Sequence, residues 1–143
     1  MYAVIDVAGK FTGLRYNELT ESIVQHHSPA GEYLCCPKRA VKAGTFATDD
    51  DKLNALWLYA THYVTVVCEF DAMGLAAVIG YRVQAEMNGN PHTKADAVLA
   101  WNQSVWADHE ASRAAVSATG NVNLDYSNNG PRPFRVAEVL AEV

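Results

Sequence analysis

The residues best suited to chemistry in this sequence are its cysteines and histidines, which are the two ligand types that zinc prefers. The sequence contains three cysteines and five histidines, namely Cys35, Cys36, Cys68, His26, His27, His62, His92 and His109. Structural zinc sites usually pair ligands about two to four residues apart. Here the paired residues are direct neighbours, whose side chains diverge in an extended chain. The spacing therefore argues against zinc, and we predict neither a metal nor a cofactor.

Covalent catalysis would need a nucleophile with a base in reach and a third group that orients the base. The sequence shows no nucleophile elbow, no dinucleotide-binding glycine pattern and no phosphate-binding loop. The acidic run Asp49–Asp51 directly follows Thr48, where carboxylates complement a helix N-terminus. We predict that the protein is not an enzyme, and we keep a small enzyme that uses Cys or His as a second alternative.

Two polar side chains, Asn102 and His109, fall inside the apolar stripe of a predicted long helix, within about 40° of Val98. A buried polar group without a hydrogen-bond partner costs about 1–3 kcal/mol. Each residue therefore either meets a polar partner inside the fold or faces another chain. Together with aromatic, basic and apolar residues nearby and near the C-terminus, they form our candidate protein interface: Asn102, Trp106, His109, Phe134, Arg135 and Leu140.

Length and composition limit the classes of protein that fit. A chain of 143 residues, half of them apolar, predicts one globular domain with its own core. Acidic residues outnumber basic ones by 16 to 11, so no overall positive field attracts nucleic acid. The longest nearly apolar run, Ala72–Tyr81, is about half of a membrane span. We expect no nucleic acid, no membrane and no small-molecule substrate.

The cysteine pattern and residues 1–10 both indicate the cellular compartment that we expect for this protein. Adjacent cysteines bridge only with strain, and a third cysteine leaves an odd number, which favours a reducing compartment. Residues 1–10 lack the basic region and the apolar stretch of a signal peptide. We therefore expect a protein that no signal peptide directs to secretion.

The N-terminal third carries β-strand signals. Two β-prone runs, Tyr2–Ala8 and Phe11–Tyr16, flank the turn Gly9–Lys10, and Glu32–Cys36 is a third such run. From Thr48 the signals are helical: capping residues and glycines delimit a first long helix, a second helix over Ala72–Met87 and a third that the capping box Thr93–Asp96 opens and that ends near Ala118.

The second helix is ambiguous, because residues 79–87 also alternate as a half-buried strand does and residues 63–70 are rich in β-branched types. Read as a helix, it is apolar nearly all round, which implies a central position or cover by another chain. Residues 121–133 read as an irregular arm on the surface, and residues 134–143 as a short amphipathic helix.

These elements predict an α+β fold. An N-terminal antiparallel β-hairpin or small sheet packs on a helical hairpin or bundle, followed by an irregular C-terminal arm. We assign residues 1–120 to one globular domain and residues 121–143 to an extended arm with a short C-terminal helix. Such an arm is a common means of reaching a neighbouring subunit.

About a third of the chain resembles the helical portion of small bacteriophage head-to-tail adaptor or tail accessory proteins. The resemblance lies in Glu69–Met73, in a helix with Tyr81–Arg82 and Met87, and in Gly89–Pro91 before a Trp-containing helix. It implies a virion component that assembles as a ring or sleeve, first in the host cytoplasm and then in the virion. The resemblance brings no cofactor or catalytic residue.

The leading hypothesis is a non-enzymatic assembly module, a phage structural protein whose partners are other copies of itself or other virion proteins. The first alternative is a small acidic inhibitor that binds and blocks a host enzyme or defence complex, with Asp49–Asp51 as part of a decoy surface.

Overall fold

The computed structural model describes residues 46–142 with their side chains and, before them, the backbone of five short strands. The helices are α1 (Asp49–His62), α2 (Ala72–Met87), α3 (Thr93–Thr119) and α4 (Val136–Leu140). A π-helical turn, Tyr63–Val67, directly follows α1, and a 3-10 turn occupies Ser127–Asn129.

The strands are β1 (Tyr2–Ile5), β2 (Phe11–Arg15), β3 (Gln25–His27), β4 (Tyr33–Cys35), β5 (Ala40–Val41) and β6 (Val122–Asn123). The first four pair antiparallel in the order β2-β1-β4-β3, and Val4 of β1 lies opposite Gly13 of β2 and Leu34 of β4. Strands β5 and β6 form a separate antiparallel pair.

The predicted fold class, an α+β domain with a β-hairpin sheet packed on helices, is wrong for the part of the chain that carries described side chains. Residues 46–142 are 72% helical, contain one short strand and hold no sheet of their own. Alternating residues near the N-terminus predict local strands, but they do not decide which elements build the core. The buried side chains of this part lie almost entirely on helices and on their connections, so it is mostly helical.

The ambiguous region, residues 63–87, is helical apart from a short link. In the π-helical turn the amide of Cys68 donates to the carbonyl of Tyr63 over 2.9 Å. At the start of α2, the Asp71 carboxylate accepts the Gly74 amide over 2.8 Å, as the capping pattern predicts. The helix ends at Asn88, and Gly89 follows with a φ of +69°, which glycine adopts readily.

The N-terminus of α3 is not held by the predicted capping box Thr93–Asp96. The Thr93 hydroxyl donates to the Glu142 carboxylate, which also accepts the Lys94 amide over 2.9 Å. The Asp96 carboxylate instead binds Arg82 at 2.9 Å and His92 at 2.8 Å. A carboxylate from a distant part of the chain thus takes the place of the local cap, since helix N-terminal amides favour a negative charge.

Replacing this distant carboxylate should make stability less dependent on pH. The hydrogen bonds from Thr93 and Lys94 hold the pKa of Glu142 below its ordinary value of 4.5. Such a group stabilises the fold above pH 4.5, and that contribution disappears as the pH falls through the folded-state pKa. We expect Glu142→Gln to lower the thermal unfolding midpoint near neutral pH, with a difference that shrinks in acid.

The matched control is Asp50→Asn, which removes an exposed carboxylate from the first turn of a different helix, α1. Thermal unfolding of the three proteins across the acid range measures the effect. A Glu142→Gln deficit of equal size near neutral pH and in strong acid would contradict the role of this carboxylate.

The chain divides into two compact units, and two of the three boundaries between them fall inside helices α1 and α3. The first unit comprises Met1–Ala60 and Asp108–Tyr126. Its described buried side chains come from Phe46 before α1, from α1, from the C-terminal part of α3 and from the segment after it: Phe46, Lys52, Ala55, Leu56, Tyr59, Ala60, His109, Val116, Val122, Leu124 and Tyr126.

Residues 121–126 differ from the surface-running arm that the sequence predicts. Val122, Leu124 and Tyr126 are all at most 2% exposed. The Tyr126 hydroxyl lies 3.4 Å from the Leu56 carbonyl oxygen, and burial raises the pKa of this phenol above its ordinary value. Alternate residues of an irregular segment therefore contribute to the core of the first unit. The predicted division of the chain at residue 120 stays a prediction.

The second unit comprises Thr61–Ala107 and Ser127–Val143. In this unit the carbonyl of Gly130 accepts the Tyr63 hydroxyl over 2.5 Å and the Trp101 indole N–H over 2.9 Å. The Trp101 ring meets Phe70 edge-on, with the ring centroids 5.8 Å apart. The short helix α4 packs on α2 and buries Val139 completely.

Candidate functional site

The six predicted interface residues fall in both units, and their role as an interface stays a prediction. His109 belongs to the first unit, whereas Asn102, Trp106, Phe134, Arg135 and Leu140 belong to the second. Asn102 and Trp106 are half-buried on α3, so neither is a freely exposed contact residue.

The three C-terminal candidates have local roles in the second unit. The Lys94 ammonium lies 5.4 Å from the centroid of the Phe134 ring, within the range of a cation–π contact. Arg135 is exposed at the N-terminus of α4, where its guanidinium binds the Glu138 carboxylate at 3.0 Å. Leu140 is 49% exposed and is the one candidate whose apolar side chain faces solvent to that extent.

His109 is buried and lies near Tyr126, with ring centroids 6.4 Å apart. Burial lowers the pKa of the imidazole below its ordinary value. It contributes to a groove of about 250 Å³ between α1 and α3, with Leu53, Asn54, Trp57 and Arg113. This volume lies below the roughly 300–1,000 Å³ of most ligand cavities. The Arg113 guanidinium also lies 3.5 Å from Glu110, which reduces its attraction for an anion.

Only some of the cysteines and histidines suited to metal binding or nucleophilic chemistry lie in the described part of the chain. Within residues 46–142, no group of three or more His, Cys, Asp or Glu side chains could hold a metal ion. Cys68 is a buried free thiol. The side chains of Cys35, Cys36, His26 and His27 lie outside the described residues.

Four exposed large apolar side chains lie on one side of α2. Met73 is 82% exposed and Met87 75%, and Ile79 and Val83 are each 45% exposed. Ala76 and Gly80 are exposed between them, and a Cβ added to Gly80 would meet no atom within 4 Å. We call this surface the outward face of α2; it consists of Met73, Ala76, Ile79, Gly80, Val83 and Met87.

The opposite side of α2 is packed inside the second unit. Val78 and Ala85 are buried, and a Cβ on Gly74 would lie 3.3 Å from Val136 of α4. The Tyr81 hydroxyl donates to the Glu142 backbone carbonyl. Helix α2 is therefore apolar on two sides, one that packs in its own unit and one that is open to solvent.

The spacing along the outward face is regular. Met73, Ala76, Gly80, Val83 and Met87 follow one another at alternating intervals of three and four residues. This is the heptad spacing with which one helix meets another along a continuous seam. Sequence reasoning found that α2 is apolar nearly all round but placed none of these residues in the interface; the heptad intervals were the signal that could have found them.

Among the described residues, no single helix has both the length and the apolar character to cross a membrane. One bent pair, Asp49–Val67 with Ala72–Met87, passes the same test by length and composition only.

No protein-family model matches the chain, and no curated protein or solved structure matches it either.

Proposed function

We propose that this protein is a non-enzymatic protein–protein assembly module that contacts its partner through the outward face of α2. The observation that carries the proposal is the exposure of four large apolar side chains on one helix: Met73, Ile79, Val83 and Met87. Contiguous exposed apolar surface of this kind marks interaction sites in soluble domains. Methionine suits such a surface because its flexible, polarisable side chain adapts to the partner.

The finer proposal is that the partners are virion proteins, which include other copies of this chain. Its support is the resemblance to small phage head-to-tail adaptor and tail accessory proteins. The outward face of α2 lies inside the resembling region, between Glu69 and Pro91.

No described contact specifically favours the inhibitor alternative. Its decoy residues serve the local structure at the start of α1, where the Thr48 hydroxyl donates to Asp51 over 2.8 Å. Asp49 also forms an ion pair with the buried Lys52 at 3.2 Å. Carboxylates in the first turn of a helix need no partner protein to explain them.

The test is site-specific photo-crosslinking of the full chain in the infected cells that the virion proposal implies. Benzoylphenylalanine replaces Met87 in one variant and Ala100, an exposed residue of α3, in the control. After irradiation, mass spectrometry identifies any protein joined to the chain. We expect the Met87 variant to crosslink to a virion protein or to a second copy, at a yield several times that of the control.

Two other results would overturn parts of the proposal. A host enzyme as the crosslinked protein would replace the virion assignment by the inhibitor alternative. Equal, low yields at Met87 and Ala100 would remove the outward face of α2 as a protein contact and with it the proposed function.

A further inference from the structure

We infer that the outward face of α2 pairs with the same face of a second copy of this chain, with the two helices antiparallel. The inference rests on the proposed function, because it names the partner of the same surface. It follows from the order of large and small side chains along the heptad seam and from the absence of charged residues in the outward face of α2.

The small residues Ala76 and Gly80 precede the large residues Val83 and Met87 along the seam, so two copies complement each other in one register. When the two helices run antiparallel about a point between Tyr81 and Arg82, Val83 of each copy lies opposite Gly80 of the other. In the same register Met87 of each copy lies opposite Ala76 of the other. Each of these four layers contains one large and one small side chain, so the axes keep a uniform separation.

A parallel pair lacks this complementarity. It would place Gly80 opposite Gly80 and Ala76 opposite Ala76, next to layers of Val83 with Val83 and Met87 with Met87. The large pairs would hold the two helices apart, so the neighbouring layers of small pairs would leave gaps. Such gaps lower the packing density of the interface. Antiparallel helices also have opposed dipoles, which a parallel pair does not.

Charge does not oppose contact at the seam. No residue of the outward face is charged, and the nearest charged side chains are engaged within the chain: Arg82 pairs with Glu86 at 2.8 Å and with Asp96 at 2.9 Å. The formal net charge of −5 per chain does produce long-range repulsion between copies. Salt screens that repulsion and leaves apolar contact intact, so the dimer should strengthen as ionic strength rises.

The length of α2 sets the strength of the pair. Sixteen residues form a helix about 24 Å long and about 10 Å wide. The area that one face of such a helix can bury is well below the roughly 800 Å² that a standard interface buries on each partner. We therefore expect a monomer–dimer equilibrium of about micromolar affinity or weaker, which a larger assembly would reinforce with other contacts.

Sedimentation equilibrium of the purified full chain, from about 1 µM to about 1 mM, tests the pairing. We expect reversible dimers that higher salt favours. Val83→Lys should weaken dimerisation at least about tenfold because it places a charge in the seam, whereas the matched control Ala100→Lys should change it less than about twofold. Both positions are exposed, so we expect both variants to fold. Thermal unfolding verifies this.

An exchange of side chains between facing positions tests the register. Ala76→Met alone and Met87→Ala alone should each weaken the dimer by about fivefold or more, because one crowds a layer and the other empties it. The double variant Ala76→Met/Met87→Ala restores one large and one small side chain in each layer. We expect it to dimerise within about twofold of the parent, a coupling that independent sites do not show.

Each contrary result removes a different part of the inference. A chain that stays monomeric to about 1 mM overturns self-pairing, and crosslinking from Met87 then shows whether another protein occupies the face, so that the proposed function stands or falls separately. A dimer that is indifferent to Val83→Lys overturns the surface. A dimer that both single exchanges weaken and the double variant does not restore overturns the antiparallel register.

Discussion

Replacing Trp101 by alanine should lower the free energy of unfolding by about 3–5 kcal/mol, the usual cost of removing a large buried aromatic side chain. Trp101 is 7% exposed, and its indole N–H donates to the Gly130 carbonyl over 2.9 Å. Its ring also meets Phe70 edge-on. The alanine variant would lose all three contributions, which is a large part of the roughly 5–15 kcal/mol that stabilises a typical domain.

Trp101→Phe separates packing from hydrogen bonding. It keeps an aromatic ring and loses the indole N–H, while the Gly130 carbonyl retains its bond from the Tyr63 hydroxyl. We therefore expect a smaller loss, about 1–2 kcal/mol. Denaturant unfolding followed by circular dichroism measures both variants. A Trp101→Ala cost below about 1 kcal/mol would show that this side chain does not organise the second unit.

Replacing Tyr126 by alanine should cost a similar amount, about 3–5 kcal/mol. Tyr126 is 2% exposed in the core of the first unit, where it lies beside His109 and its hydroxyl reaches toward the Leu56 carbonyl. The size of the loss decides whether residues 121–126 belong to the core or form the surface-running segment that their composition suggests.

Two variants serve as controls for this position. Tyr126→Phe keeps the ring and should cost about 1 kcal/mol, and Asn128→Ala alters a nearby exposed residue and should change stability by no more than about 0.5 kcal/mol. Denaturant unfolding of the four proteins gives the comparison. Equal, small effects of Tyr126→Ala and Asn128→Ala would mean that the segment contributes nothing to the core.

Sequence reasoning succeeds here where the determinants are local. Asp71 caps α2 as predicted, and Gly89 and Gly120 take left-handed backbone angles at the ends of α2 and α3. Each of these signals acts over three or four residues, so it can be recognised without knowledge of the fold.

Prediction from the sequence fails where a distant residue competes with a local one. The capping box at Thr93 and Asp96 is a valid pattern, but Glu142 and Arg82 bind these side chains instead. Residues 121–126 are rich in polar types, yet every second residue is buried because neighbouring elements cover it. No short window of sequence contains those partners.

The outward face of α2 also depends on residues that are distant in the sequence. That α2 is apolar nearly all round follows from its residues, but which side its own unit covers depends on α4, whose Val136 lies against Gly74. Burial of Val78 and Ala85 leaves Met73, Val83 and Met87 outside. Three of the predicted interface residues have contacts within their own chain that no local pattern indicates: His109 in the core, Phe134 beneath Lys94 and Arg135 at the start of α4.

The cap that Glu142 provides for α3 has a consequence for the order of events on the ribosome. The Lys94 amide and the Glu142 carboxylate are 48 residues apart in the chain. At about 5–20 residues per second, several seconds of translation separate the emergence of the two groups. During that interval the first turn of α3 has free amides, so this end of the helix frays in the nascent chain and becomes fixed only when residue 142 arrives.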